Sequence, residues 1–236
     1  MLTIVTPTLN SVNYLENNIN SIKKLTIPFE HIIVDGGSSD GTLEIIKKHP
    51  HIKLINQSEK LGMYHAISLG FEKAKGEFIT WINSDDIVVK EGFEKMYDVL
   101  KSNKYDFVYS DSIFNYIKKE KKTRINGSRF PKFILKNKIM PFVQPSTMYT
   151  KNLYEKIGGL NYLKFKLAGD LDMFRRFSLE KGVRFKYLNI VSTEFLKYGE
   201  SLGDINIEAM INEVKEMDGR TNAISKIIIR LILLIR

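Results

Sequence analysis

Apolar residues in the N-terminal third of the chain follow two spacings that alternate along the sequence. Short runs rich in Ile, Val, Leu and Phe are typical of strands buried in a sheet. They lie at residues 2–5, 31–34, 52–55 and 78–82. Between them, apolar residues recur every three or four positions, which is helical spacing, at residues 14–25, from Leu43 onwards and at residues 61–74. This alternation predicts an α/β fold with a mostly parallel sheet and helices on both faces.

Polar segments follow three of these strands directly. They are Thr6–Asn10, Asp35–Thr42 and Asn83–Asp86. Ligands of parallel sheets bind beyond the carboxyl ends of the strands, so we expect the three segments to share one crevice. The alternative is that each segment is a connecting turn, with Asn83–Asp86 also capping a helix over Glu91–Leu100.

Two adjacent carboxylates, Asp85 and Asp86, end the run that begins at Gly76. They cannot follow Trp81 and Ile82 into the core without partners, because burying an unpaired charge is costly. Carboxylate oxygens suit hard divalent ions, and the pair therefore predicts a site for Mg²⁺ or Mn²⁺.

The segment after the second strand predicts contacts to a nucleotide. Asp35 can accept hydrogen bonds from a base or a ribose. Gly36 and Gly37 remove side chains where a base or a diphosphate would approach the backbone. No dinucleotide or P-loop glycine pattern follows the first strand, so phosphates would need a metal ion or cationic side chains.

Asp170 stands at the start of a further predicted helix whose apolar side carries Leu171, Phe174 and Phe177. An acid at this place is either a functional carboxylate or only a helix cap. Its neighbour Asp172 is expected to hold Arg175 or Arg176, because these residues lie about one helical turn away.

The C-terminal part of the chain predicts one domain followed by a tail. A strand over Phe185–Val191 leads to Tyr198–Ser201, and a helix over Asp204–Met217, capped by Asp204, ends at Gly219. We therefore place one domain at residues 1–219 and an apolar and basic helix at residues 220–236. Its fifteen residues from 222 would extend roughly 22 Å, short of a hydrocarbon core of about 30 Å. We expect it to lie on a membrane surface or to contact a partner, such as the second copy of a homodimer.

Composition restricts the chemistry further. The chain has no cysteine, which excludes thiol catalysis and Cys-ligated metals, and its four histidines lack metal-binding spacing. No secretory signal begins the sequence, so we expect a cytoplasmic protein.

The formal net charge of +9 is concentrated in one segment. Residues 118–138 contain nine Lys or Arg residues and one acid, Glu120. Interleaved with Phe130 and Phe133, these cations suit RNA, anionic lipid headgroups or a phosphorylated acceptor. The alternative is a solvated hairpin that carries Lys118–Lys122. No RNA-binding pattern of stacking aromatics accompanies the segment, so we do not expect nucleic acid as the partner.

Together these residues closely resemble family 2 of the glycosyltransferases, the large inverting family with the GT-A fold. The resemblance runs from Leu2 to about Gly203. It is carried by Thr6–Asn10, Val34–Thr42, Gly76–Asp86 and Ala168–Asp172.

The resemblance implies a nucleotide-sugar donor, commonly linked to UDP, a divalent ion (Mn²⁺ or Mg²⁺) and an aspartate as catalytic base. The donor-binding residues that it implies are Thr6, Pro7, Asp35, Gly36, Lys60, Asn83 and Asp85. Asp85 and Asp86 would hold the metal, and Asp170 would be the base. The sequence departs from many relatives at His65, near the nucleotide pocket, and at Gln144, on the acceptor side.

The resemblance to enzymes of bacterial surface glycans implies an acceptor hydroxyl on a glycan or a lipid-linked carrier. In that case residues 118–138 and 222–236 would bring the enzyme to the inner face of the cell membrane. Two other functions stay open: a catalytically silent, membrane-associated scaffold, and a basic nucleic-acid-binding protein. A sugar nucleotidyltransferase is disfavoured, because the N-terminal run lacks the Gly-rich, basic loop that would bind a triphosphate.

Overall fold

The structure is a computed structural model that describes residues 1–197 and 206–217. Its strands are β1 (Leu2–Thr8), β2 (Phe29–Asp35), β3 (Ile52–Asn56), β4 (Phe78–Trp81), β5 (Ile87–Val88), β6 (Phe107–Tyr116), β7 (Lys121–Ile125), β8 (Thr147–Thr150) and β9 (Phe185–Lys197). Its helices are α1 (Leu15–Lys23), α2 (Thr42–Lys47), α3 (Met63–Glu72), α4 (Lys90–Lys101), α5 (Pro131–Lys136), α6 (Lys151–Lys156), α7 (Gly169–Leu179) and α8 (Ile207–Glu216). Short 3₁₀ helices lie at Ile117–Lys119 and Gln144–Ser146.

The nine strands within the described residues belong to one sheet with the order β3-β2-β1-β4-β8-β6-β9-β5, and β7 pairs with β6. The first four strands in this order are parallel, as the alternating pattern predicts. Beyond them the sheet is mixed, because β8 is antiparallel to both β4 and β6 while β9 is parallel to β6. The α/β class is confirmed, and the parallel part of the sheet is concentrated in its N-terminal half.

Helices cover both faces of β1, which explains why every residue of this strand is buried, its three threonines included. Ile4 packs in a core cluster with residues of α1 and α4, whereas Val5 packs in a second cluster with residues of α3 and α7. Helix α3 approaches β1 closely at Gly70, where a Cβ atom would lie 2.5 Å from Val5 Cγ1. The prediction of helices on both faces is therefore confirmed.

Three boundaries differ from the predictions by three residues or more. Strand β1 continues to Thr8, so the first three residues of the predicted polar segment Thr6–Asn10 belong to the strand. Strand β9 continues to Lys197, well past Val191, because its second half pairs with β6 over Ser112–Tyr116. Helix α8 begins at Ile207, and Val214 and Met217 at its end are buried in the core cluster of α3 and α7. The predicted cap Asp204, the segment Tyr198–Ser201 and the helix at 220–236 lie outside the described residues.

The basic segment divides into a hairpin and a short helix. Strands β6 and β7 pair antiparallel, with Tyr116 opposite Lys121, so the solvated hairpin is formed. Helix α5 follows; Phe130 directly precedes it and Phe133 lies within it, and the two are 72% and 60% exposed. Among the described residues, no helix is both long enough and apolar enough to span a bilayer.

Candidate active site

The three polar segments leave the sheet at the same edge. Thr8 at the end of β1 lies opposite Asp35 at the end of β2. On its other side, β1 pairs with β4 in parallel, with Val5 opposite Trp81. Because these strands are adjacent and run in the same direction, the loops that follow them are neighbours.

Hydrogen bonds join the three loops directly. The backbone N–H of Asn10 donates to Ser38 Oγ (2.9 Å), and the N–H of Ser39 donates to Asn10 Oδ1 (3.0 Å). The hydroxyls of Ser11 and Ser84 lie 2.8 Å apart and share a hydrogen bond. The prediction that the three segments share one crevice is confirmed.

Asp35 shapes the second loop. Its side chain is 2% exposed; Oδ2 accepts from the N–H groups of Gly37 (2.8 Å) and Ser38 (2.9 Å), and Oδ1 accepts from the Ser38 hydroxyl. Gly37 has a φ of +96°, which favours glycine, whereas a Cβ atom at Gly36 would meet its neighbours at an ordinary 3.5 Å. Much of the hydrogen-bonding capacity of Asp35 is therefore used within its own turn.

Lys60 lies over this turn. A Cβ atom built on Gly37 would lie 3.6 Å from Lys60 Nζ. The Lys60 side chain is exposed, and no carboxylate forms a salt bridge with it within residues 1–197 and 206–217. A cation in this position suits an anionic group that enters the crevice.

The two predicted contacts on β1, Thr6 and Pro7, are buried. The Thr6 hydroxyl hydrogen-bonds His31 Nε2 (3.0 Å) within the sheet, so this hydroxyl already has a buried partner. Thr8, which the sequence did not single out, is different. Its buried hydroxyl has no hydrogen-bond partner among the residues described, and the Asn83 carbonyl Oδ1 has none either. These two oxygens are therefore buried hydrogen-bonding groups near the strand ends whose capacity is unused among the described residues.

Asp85 and Asp86 occupy different environments. Asp85 is partly exposed, and burial raises the pKa of its carboxyl. Asp86 is 0% exposed, and burial together with the charge of Asp85 raises its pKa well above the usual range. The side chain of Asn83 and the backbone N–H groups of Leu196 and Asn83 lie close enough to oppose this shift, although none of them meets hydrogen-bond geometry with either Asp86 oxygen. Asp85 is therefore the more accessible carboxylate of the predicted metal pair.

The loop of Asp85 and Asp86 would hold a divalent ion only if a bound substrate supplied further oxygen ligands. Within the parts of the chain that the structure covers, no group of three or more His, Asp or Glu side chains could hold a metal ion by itself. The orphaned oxygens of Asp86 beside Asp85 are suitable donors, and Mg²⁺ is typically held by one or two carboxylates together with substrate phosphates. The donor set therefore fits an ion that binds together with a diphosphate.

A cavity of about 430 Å³ brings two predicted site residues together, because Asn83 and Asp170 both line it. Apolar side chains, among them Trp81 and Phe142, form much of its wall. Its polar lining consists of Tyr64, Asn83, Asn126, Gln144 and Asp170. Gln144 lies at this cavity and donates to the Trp81 carbonyl (3.0 Å), and its acceptor-side position stays a prediction.

Asp170 is the second residue of α7 and faces the cavity. Burial raises the pKa of its carboxyl, and hydrogen bonds from the Leu171 N–H (2.8 Å) and the Tyr64 hydroxyl (3.1 Å) to Oδ1 oppose that shift. A carboxylate with a raised pKa takes up protons more readily than an ordinary one, as a general base must. Asp172 instead accepts from Arg176 Nε (2.9 Å), which confirms its predicted ion pair.

The turn beside Asn126, a residue of the cavity lining, depends on Asp111, which the sequence did not single out. This fully buried carboxylate accepts from Gly127 N–H (2.9 Å) and Tyr187 Oη (2.7 Å), and it pairs with Arg124. It thereby fixes the turn beside Asn126. Its signal was one acid within the otherwise strand-like run of β6.

The α/β sheet carries polar loops at its strand ends and, beside them, a cavity lined by Asn83 and Asp170, which is where open α/β sheets bind their ligands. The family described as "Glycosyl transferase family 2" matches residues 3–180. The chain therefore belongs to glycosyltransferase family 2.

Curated relatives match part of the chain. Glycosyltransferase GlyG of Streptococcus pneumoniae is 33% identical over 129 residues, which are 49% of this chain and 43% of GlyG. The putative teichuronic acid biosynthesis glycosyltransferase TuaG of Bacillus subtilis is 27% identical over 115 residues, 47% of this chain and 46% of TuaG. The chain thus spans less than half the length of these relatives.

Solved structures share the fold. The S. aureus TarS 1–349 complex with UDP-GlcNAc has a TM-score of 0.67 at 19% identity and covers 93% of this chain and 68% of TarS 1–349. The mannosyltransferase PcManGT of Pyrobaculum calidifontis, in complex with GDP-Man and Mn²⁺, has a TM-score of 0.64 at 17% identity and covers 97% of this chain and 68% of PcManGT. At these identities the likeness concerns the fold, and it confirms the GT-A architecture.

Proposed function

We propose that the chain is an inverting glycosyltransferase that moves a sugar from a nucleotide-sugar donor, with UDP favoured, to an acceptor hydroxyl. The observation that carries this proposal is the cavity that Asp170 and Asn83 share, since it joins a carboxylate of raised pKa to the loop of Asp85. The nucleotide-sugar ligands of TarS and PcManGT, which have the same fold, support the choice of donor.

In the proposed reaction, Asp170 takes the proton of the acceptor hydroxyl as its oxygen attacks the anomeric carbon of the donor. The bond from that carbon to the diphosphate breaks on the opposite face, so the anomeric configuration inverts. The base contributes typically 10²–10⁴-fold to such a step. Lys60 and the Thr8 hydroxyl would contact the nucleotide diphosphate, and Asp35, Thr6, Pro7 and Gly36 would form the floor under the nucleotide.

We further propose that Asp85, with Asp86 behind it, holds Mn²⁺ or Mg²⁺ in the presence of the donor. The ion would supply positive charge to the departing diphosphate. Calorimetry of UDP binding tests this part: Asp85→Asn and EDTA should each weaken binding, whereas Asp98→Asn, on an exposed position of α4, should not. Binding that ignores both Asp85→Asn and EDTA would remove the metal from the proposal.

Donor identity is tested by thermal shift. Nucleotide sugars with uracil, guanine or thymine bases are screened with Mn²⁺, and free sugar phosphates serve as controls. We expect a UDP-sugar to stabilise the protein and to be slowly hydrolysed, while sugar phosphates do neither. If no nucleotide sugar binds or reacts, the proposed activity is wrong, and the result favours the alternative of a catalytically silent scaffold.

For the acceptor, we propose a glycan or a lipid-linked carrier at an anionic membrane surface. Phe130 and Phe133 are exposed beside Arg129 and Lys136, a combination that suits apolar insertion among anionic headgroups. Sedimentation with phosphatidylglycerol vesicles should retain the wild type and lose Phe130→Ser/Phe133→Ser, whereas Leu163→Ser, at a similarly exposed position, should behave as wild type. Equal retention of all three proteins would place the membrane contact elsewhere.

A further inference from the structure

One carboxylate of the last described helix holds the backbone just before Asp170. Glu213 Oε1 accepts from the N–H of Lys166 (2.8 Å), and Oε2 accepts from the N–H groups of Leu167 and Ala168 (both 2.9 Å). Three consecutive amides thus share one side chain. Hydrogen bonds from amides to a charged carboxylate are stronger than those to a neutral acceptor.

The amides lie where α7 needs support. Ala168 is the N-cap of α7 and has no side chain that could cap it, so Glu213 supplies the negative charge that a helix start favours. The next residue, Gly169, allows α7 to contact Tyr64 closely, since a Cβ atom there would lie 2.8 Å from the Tyr64 ring. Asp170 follows at once, and its position depends on this turn.

Helix α8 is itself anchored. Val214 and Met217 are buried in the main core cluster, and Lys138 Nζ donates to the Met217 carbonyl (2.7 Å). Lys164 Nζ lies 3.4 Å from the Glu216 carbonyl. Glu213 is therefore held on a packed element and can fix the turn that it contacts.

We propose that Glu213 is a positioning residue that sets the place of the Asp170 carboxylate by holding the turn at residues 166–168. It lies beyond residues 3–180, the part that the family matches. The proposal rests on the proposed function, because it assumes that Asp170 is the base. It makes α8 a component of the active site although this helix does not line the cavity.

The charge of Glu213 affects the pKa of Asp170, so the pH dependence of the reaction distinguishes a positioning role from a purely structural one. Two titratable side chains act on Asp170 across the contact: Tyr64 from α3, which donates a hydrogen bond, and Glu213 from α8, whose charge raises the pKa of Asp170. Removing the charge should lower that pKa. The acid limb of the pH profile of kcat/KM should then move to lower pH.

The test compares Glu213→Ala and Glu213→Gln with Glu208→Gln, which removes a charge from an exposed position of the same helix. We expect Glu213→Ala to lower kcat by roughly 10²-fold with donor KM within about twofold, as a misplaced catalytic group does. Glu213→Gln keeps an acceptor oxygen, so its loss should be smaller, and its acid limb should shift to lower pH. Glu208→Gln should match the wild type in both respects.

Hydrogen exchange separates this proposal from the proposed function. In Glu213→Ala the amides of Leu167 and Ala168 should lose protection while those of β1 and β4 keep theirs, whether or not the protein transfers sugar. Unchanged protection at these two amides, or an unmoved acid limb in Glu213→Gln, would overturn the positioning role. Suppose that Asp170→Asn remained active while the amides of Leu167 and Ala168 lost protection in Glu213→Ala. The assignment of Asp170 as the base would then be wrong, whereas the support of the turn by Glu213 would be correct.

Discussion

The side-chain amide of Asn18 in α1 donates to the backbone carbonyl of Asp86 (2.8 Å), and also to that of Asn83 (2.9 Å). Asn18 is fully buried, so it joins the helix after the first polar segment to the loop of the third. One neutral side chain thereby fixes the backbone of the acidic loop from inside the protein.

Asn18→Ala should therefore destabilise the protein by about 2–3 kcal/mol, because two buried carbonyls lose their donor. Urea denaturation measures the change. Asn20→Ala on the same helix is the control, since Asn20 is exposed and should change the unfolding free energy by less than about 0.5 kcal/mol. Equal midpoints for the two variants would show that the Asn18 contact does not support the loop.

Tyr64→Phe should change the pH dependence of the reaction in the opposite sense to Glu213→Gln. The Tyr64 hydroxyl lowers the pKa of Asp170 by donating to the carboxylate, so its removal raises that pKa. The acid limb of kcat/KM should move to higher pH. Tyr162→Phe is the control, because Tyr162 contacts the His65 ring and is not part of the cavity lining. If the acid limb of kcat/KM lay at the same pH in Tyr64→Phe and in the wild type, the proposed effect of the Tyr64 hydroxyl on the pKa of Asp170 would be contradicted.

His31 should make the protein sensitive to acid. Burial, with smaller contributions from His51 and His49, lowers the pKa of His31 from 6.5 to about 3. In the unfolded chain the His31 ring binds a proton below about pH 6.5, whereas in the folded protein it stays neutral down to about pH 3. Protonation therefore favours the unfolded chain between these two values. The stability that neutral His31 contributes is complete above pH 6.5 and is lost as the pH falls.

Unfolding free energies at pH 6.5 and 4.5 check this effect. The wild type should lose about 2–3 kcal/mol more than His31→Gln over this interval, at about 1.4 kcal/mol per pH unit for one proton. His51→Gln, at an exposed position, should retain most of the wild-type slope. Parallel pH profiles for wild type and His31→Gln would contradict the buried neutral state.

Local patterns were sufficient for the N-terminal half of the fold. The apolar runs around Val5, Ile33 and Ile79 could only be buried strands, and helices between them required parallel pairing. The meeting of their polar ends followed from that geometry. Strands β5 and β8 could not be predicted, because each is short and pairs only with segments distant in sequence.

The residues of the site also divide into those that the sequence reveals and those that it does not. Asp85 and Asp170 are visible in the sequence because a charge interrupts or begins an apolar pattern. Glu213, by contrast, looks like one more exposed acid on an amphipathic helix, and its partners at 166–168 are backbone groups that carry no residue signature. Asn18 left a weak signal, a carboxamide beside Ile19 on the buried side of α1.

The central claim is that Asp170 is the base of a glycosyl transfer, and single-turnover kinetics of Asp170→Asn with a donor identified by thermal shift tests it most directly. Asparagine keeps the size of the side chain but cannot take a proton at neutral pH. We predict a rate at least about 10²-fold below wild type with donor affinity within about threefold. A rate within about threefold of wild type would contradict the claim.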